Sequence, residues 1–332
     1  MGPADLIASV RGRAEIVAYR GGWGAVRRMP AGAAYAAFER IADVQARRGG
    51  KGIDRMRANY ARVRPELDDA ALDLLVRDGM RSYLRYFCDA FRLPDRSPEE
   101  LAAAVRAEND GAVRADLAAG TSAVIFLAHL GNWDAAGAWS AGHLAPVTSV
   151  AERLRPEAIF QEFLAFRERL GMTILPLTGG SNPFVGLRAA VGRGDFVALV
   201  ADRDLTSNGV EVEFFGRRAR MAKGPALLSL VTGAPLYAAS ITYEHAAPER
   251  GAAGYRTVVR FSDRIRPSCA PAPDLTPEEQ AAQVRALTQA CAAYLEEPIR
   301  EHTADWHMMQ RVFVEDLDPA RTAAATSSAP AP

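Results

Sequence analysis

The hydrophobic pattern divides this chain into two parts. From about residue 111 to 245, short apolar runs alternate with longer mixed segments. The runs at 123–128, 146–151, 172–177, 196–201 and 234–243 are of strand length and read as buried strands. The segments near 132–142, 156–170, 182–193 and 223–232 read as helices. This alternation predicts an α/β fold: a largely parallel central sheet flanked by helices. A further strand is expected at 258–262, and Thr276-Pro277-Glu278-Glu279 signals a helix running to about Arg300.

Upstream, residues 1–110 read as helical throughout. Leu6, Ile7, Val10, Ile16, Val17 and Tyr19 mark a first helix, which Gly21-Gly22-Trp23-Gly24 should break. A second is expected from about 31 to 46, one or two more over 67–91, and a strong start at Ser97-Pro98-Glu99-Glu100. The expected organisation is therefore one domain over 1–318, with a helical part (1–110) and an α/β core (111–318). A disordered Ala/Ser/Pro-rich tail follows at 319–332. No internal repeat is visible.

The chemistry gathers where strands end. His129 follows the 123–128 run directly, and Asn132 is a good N-cap for the next helix. The histidine thus sits in the turn at the carboxyl end of a strand, where open α/β sheets bind ligands. Asp134 falls in the first turn of that helix, five positions on, and is placed to hold the imidazole. Such a histidine can take a proton from a hydroxyl near neutral pH. By itself His-x4-Asp is weakly specific. Asp202 ends the 196–201 run and should reach the same crevice, although it also suits a turn or helix cap. Arg203 and Asp204 fit a loop ion pair equally well. Glu211 and Glu213 alternate with Val210 and Val212 as on a half-exposed strand. Phe214 and Phe215 suit either the wall of an apolar groove or ordinary core. Arg217, Arg218, Arg220 and Lys223 precede the 223–232 helix. They make either an anion site at its N-terminus or an exposed basic loop.

Taken in order, these blocks resemble the lysophospholipid acyltransferase superfamily and, within it, the lipid A acyltransferase-like branch. That branch carries a His-x4-Asp/Glu motif, an Asp-x-Asp block followed by Phe-Phe-Gly, and then a small-residue helix. Here these are His129 and Asp134, Asp202 and Asp204, Phe214-Phe215-Gly216, and the stretch from Lys223 to Pro235. Asp305-Trp306-His307, the later Val312-Phe313-Val314-Glu315-Asp316, and Arg203-Asp204-Leu205-Thr206 look like the actinobacterial phosphatidylinositol mannoside acyltransferases. The resemblance spans roughly residues 1–317. It implies transfer of a long acyl chain from acyl-CoA, as co-substrate, to a mannose hydroxyl of a phosphatidylinositol mannoside. His129 would be the general base, Asp134 and Asp202 would assist, and Arg167 would match a recurrent arginine that binds substrate or braces an acid. In the mannoside enzymes the assisting acid of the second block is a glutamate; Asp202 is one methylene shorter. Another glycolipid or a lysophospholipid as acceptor, a hydrolase acting on water, and a non-catalytic lipid-binding scaffold are the competing readings.

Composition then narrows the setting. No run of 18 apolar residues is present, and no signal peptide is recognisable, so an enzyme of lipids must lie on the membrane rather than cross it. The expected place is the cytoplasmic face. The net charge is zero, yet residues 1–63 hold 12 basic against 5 acidic side chains. With Trp23, Met29, Tyr35 and Phe38 interleaved, this segment fits an interfacial element for an anionic membrane as well as a solvated basic face. Nothing suggests a nucleic-acid partner. Three widely spaced cysteines, Cys88, Cys269 and Cys291, make no metal motif and no disulfide framework, and the histidines lack ligand spacing. Neither a metal nor a permanently bound cofactor is expected. His307 reads as a structural hydrogen-bonder near the site. Lys51 and Lys223 are the only lysines, and this arginine bias with abundant alanine points to a high-GC genome, as in actinobacteria.

Overall fold

The computed structural model describes residues 21–153, 157–178, 182–204, 208–246, 254–267 and 275–317. The helix expected within 1–20, Cys269 and the tail 319–332 lie outside the described residues.

Nine strands and ten labelled helices make up the described fold. The central sheet contains β1 (Val105–Glu108), β2 (Ala123–Leu127), β3 (Val147–Ala151), β4 (Met172–Pro176), β5 (Phe196–Val200), β8 (Leu236–His245) and β9 (Tyr255–Phe261). Their spatial order is β1-β9-β8-β2-β5-β3-β4. Five of these strands, β8 to β4 in that order, run parallel; β9 pairs antiparallel with β8, and β1 runs with β9. β6 (Val210–Phe214) and β7 (Arg217–Met221) form a separate hairpin.

Because β2 is central, all five of its residues are buried, and successive side chains enter opposite cores. Val124 and Phe126 face one cluster with α8 (Pro183–Gly192), α9 (Gly224–Thr232) and α10 (Pro277–Glu301). Ile125 and Leu127 face the other, with α6 (Trp133–His143) and Phe166 of α7 (Glu157–Arg169). Each such large apolar side chain contributes roughly 1.5–3 kcal/mol on burial. This accounts for a continuous hydrophobic run rather than an alternating one.

The N-terminal helices α1 (Ala31–Arg48), α2 (Lys51–Val63), α3 (Asp69–Arg92) and α4 (Pro98–Ala104) pack at the same end of the sheet as the β2 C-terminus. Capping boxes at Ser97 and Thr276 start α4 and α10 as expected. α5 (Gly111–Ala118) then leads into β2.

Three expectations fail here. Residues 21–28 are helical, so Gly21, Gly22 and Gly24 lie within a helix. Residues 105–108 leave the helical part to form β1, through a pairing with β9 that lies about 150 residues away and leaves no local signal. Third, the aromatics of the N-terminal segment turn inward. Trp23 is buried against Phe91 and Phe166, Tyr35 donates to Asp89, and Phe38 packs on the core. Arg27 is paired with Asp95.

Candidate active site

The sheet register sets the site. β2 and β5 pair in parallel, with Leu127 opposite Val200. Two residues beyond each strand end, the same register puts His129 opposite Asp202. The His129 imidazole Nδ1 lies 2.5 Å from Asp202 Oδ1, and the His129 backbone N–H donates to Oδ2 at 2.9 Å. Trp306 Nε1 donates to the same Oδ2 at 2.9 Å. Asp202 is fully buried, whereas the His129 side chain keeps a quarter of its surface exposed. Burial, the strongest single influence, pushes the Asp202 carboxyl up. His129, Trp306 and the backbone amide together outweigh it and hold the group below the usual carboxylate range. Asp202 is therefore an ionised acceptor, Nδ1 carries the proton, and Nε2 is the lone pair left for a substrate.

The C-terminal segment closes over this turn. His307 N–H donates to the His129 carbonyl, Gly131 N–H to the Asp305 carbonyl, and Leu130 bridges Trp306. Gly131 is required here. Its φ is +61°, and a Cβ would stand 2.2 Å from the Ile241 carbonyl oxygen. Ser82 Oγ donates to Asp305 Oδ1 at 2.6 Å and so accepts from His307 Nε2 at 3.0 Å. Burial pushes His307 down to about 3, which keeps the ring neutral.

Asp134 does something other than expected. It is buried, accepts from Tyr86 Oη at 2.6 Å, and takes Arg167 Nε at 2.7 Å with Nη2 at 3.3 Å. It makes no hydrogen bond to His129. The first turn of α6 carries it toward α3 and α7, away from the imidazole. Burial works against the Arg167 charge, but Asp134 more than offsets this and holds the guanidinium protonated.

His129 opens into a cleft of about 260 Å³. Phe87, Trp133, Phe160, Phe163, Leu164 and Ile174 supply its apolar wall; Arg167, Arg203, Glu152 and His307 supply polar groups. The model of the bacterial lipid A biosynthesis acyltransferase family matches residues 9–315. The chain belongs to that family. It is 40% identical over 324 residues to a protein of Mycobacterium tuberculosis (strain ATCC 25618 / H37Rv) named phosphatidylinositol mannoside acyltransferase, covering 97% of this chain and 95% of the relative. A protein of the same name from Mycolicibacterium smegmatis (strain ATCC 700084 / mc(2)155) is 37% identical over 313 residues, or 94% of this chain and 95% of the relative.

The acyltransferase thus brings His129, Asp202 and Arg167 together around one cleft, with Asp134 directly behind Arg167. The other candidates lie elsewhere. Phe214 is fully buried beside Trp306 and Phe313, so it is core behind the site. Phe215 packs under the Arg300 guanidinium. Arg220 is a buried member of β7, paired with Glu211, which also binds Arg218; the supposed basic loop is half of a hairpin. Asp204 binds the Arg220 carbonyl through its backbone N–H. Lys223 lines a different groove with Glu211 and Arg285. Phe87, Phe160 and Phe163 occupy the wall position that Phe214 and Phe215 were candidates for.

Tyr86, Glu152 and Arg203 were not singled out for the site. Arg203 lies 3.8 Å from Glu152, and its Nε has no partner among the described residues. Glu152 directly follows β3, and Arg203 follows Asp202, so both sit at strand ends on the His129 side of the sheet. That position was the available signal. Cys88 is inert: burial pushes its thiol up to about 12. Among the described residues no three His, Cys, Asp or Glu side chains are grouped to hold a metal.

Proposed function

We propose that the protein transfers a long acyl chain from acyl-CoA to a mannose hydroxyl of a phosphatidylinositol mannoside. The observation that carries this is the His129–Asp202 pair at the mouth of an apolar cleft, in a chain so similar to proteins of that name. His129 Nε2 takes the hydroxyl proton as the oxygen attacks the thioester carbonyl. The C–O bond forms, the C–S bond breaks, and the imidazolium returns its proton to the departing thiolate. Asp202 keeps the proton on Nδ1 and stabilises the imidazolium. General-base assistance of this kind is worth about 10²–10⁴ in rate. Arg203, whose cationic side chain lines the cleft, suits the developing oxyanion. Asp134 is a positioning residue: it holds Arg167 and Tyr86 as one wall of the cleft.

The enzyme works as a peripheral protein on the cytoplasmic face of the membrane. Among the described residues no helix is long and apolar enough to cross a membrane. The outer face of α1 exposes Ile41 and Val44 among Arg40, Arg47 and Arg48, a pattern suited to an anionic lipid surface.

The test is product analysis by mass spectrometry with purified protein, acyl-CoA and mannosylated phosphatidylinositol. An ester on mannose, lost in folded His129→Ala, is expected. Free fatty acid as the sole product would make the protein a hydrolase, and near-normal turnover by His129→Ala would remove the base.

A further inference from the structure

We infer that a basic groove beside the His129 cleft, built on the N-terminus of α2, binds a phosphate group of one of the two substrates. The inference rests on the acyl-transfer reading and deepens it.

The groove has a volume of about 430 Å³, and its lining includes Lys51, Arg55 and Arg311 together with Asp54, Asn59, Gln310 and Asp316. Lys51 and Arg55 share one helix face by their spacing of four. Among the described residues neither they nor Arg311 has a hydrogen-bonded or ion-paired side-chain partner. The contrast lies within the same helix. Arg57 is paired with Asp69 and Asp73 at 2.6 and 2.9 Å, and Arg62 with Glu315 and Asp316 at 2.8 and 2.9 Å. Arg62 thereby also answers the Asp316 charge. Asp54 is then the one carboxylate facing three unanswered cations.

The backbone adds to this charge. Gly49-Gly50-Lys51-Gly52 opens α2, with φ of +68° at Gly49 and +130° at Gly50 and open space around both. The N-cap Gly50 has no side chain to bind the first amides of the helix. A glycine-rich turn, an uncapped helix start and converging cations are the elements that phosphate recognition uses.

The groove is physically joined to the cleft. Met308, Met309 and Gln310 line the cleft, while Gln310 and Arg311 line the groove. Asn59 Nδ2 pins this strap to α2, donating to the Met308 and Gln310 carbonyls at 2.9 Å each. A substrate held by its phosphate at Lys51 therefore reaches His129 by passing over Gln310.

Two substrates carry suitable groups: the diphosphate and 3′-phosphate of the CoA donor, and the phosphodiester of the inositol lipid. Their soluble parts separate them. Free CoA and glycerophosphoinositol are each titrated calorimetrically into the full chain, His129→Ala, and the triple variant Lys51→Gln/Arg55→Gln/Arg311→Gln. Melting curves serve as the control for folding. One probe should bind the full chain and His129→Ala alike and lose at least tenfold in affinity in the triple variant; that probe names the source. The exchange Lys51→Arg/Arg55→Lys/Arg311→Lys should keep most of the binding. Unchanged affinity for both probes in the folded triple variant, or no binding of either to the full chain, overturns the subsite. The acyl-transfer reading fails separately: if the full chain makes no ester while the triple variant loses the probe, the groove stands and the reaction does not.

Discussion

Replacing Asp202 by asparagine tests the assignment of the base most directly. In the native site Oδ2 accepts two N–H groups, from the His129 backbone and Trp306, and Oδ1 accepts Nδ1–H. An asparagine can keep its oxygen toward the first two donors. Its NH₂ group then faces Nδ1, which must become an acceptor, so the imidazole proton moves to Nε2. The nitrogen that should take the substrate proton is already occupied. The charge that stabilises imidazolium is lost as well. A charge-assisted hydrogen bond is worth about 1.5–3 kcal/mol, or roughly 10–150-fold, and the same change in a serine hydrolase triad costs about 10⁴. We expect kcat to fall by about 10²–10⁴ with KM for acyl-CoA within a few-fold. Stability should change little, because removal of a buried charge offsets the cost of the second amide N–H, for which the site offers no acceptor. The assay is release of CoA thiol, with ester product counted by mass spectrometry and folding checked by circular dichroism. Turnover within threefold of the parent, in a folded protein, would refute the role given to Asp202.

Three further outcomes follow from the same geometry. Arg167→Ala leaves the Asp134 charge buried and unanswered and should cost about 3–5 kcal/mol in denaturant unfolding; adding Asp134→Asn should recover a good part of it, and no recovery would mean the pair is not the cause. Gly131→Ala combines a left-handed φ with a Cβ against the Ile241 carbonyl, so a loss of about 2–4 kcal/mol is expected, and an unchanged melting temperature would contradict the turn described. His307 is depressed from 6.5 to about 3, so the unfolded chain binds this proton first as pH falls. Its stabilising contribution is complete above pH 6.5 and is lost progressively toward pH 3, by about 2 kcal/mol at pH 5; His307→Gln should flatten that part of the stability curve, and an equally steep curve would show that the ring is not held neutral.

Much of this protein is written locally. The uniformly apolar 123–128 and 196–201 runs specify central strands because both faces of β2 and β5 are covered. Ser97, Asn132 and Thr276 start helices through their own side chains, so α4, α6 and α10 are legible without any partner. His129 and Asp202 were legible as strand-end residues for the same reason. What stood beyond reach was which groups meet. Chain proximity favoured Asp134 as the partner of His129, since five residues separate them. The tertiary structure decides otherwise, because parallel register places residues 73 apart side by side while one turn of helix carries Asp134 to Arg167 on α7. Phe214, β1 and the 217–221 strand follow the same rule. Their states depend on pairing with Trp306, β9 and β6, and a pairing between distant segments leaves no periodicity in either one.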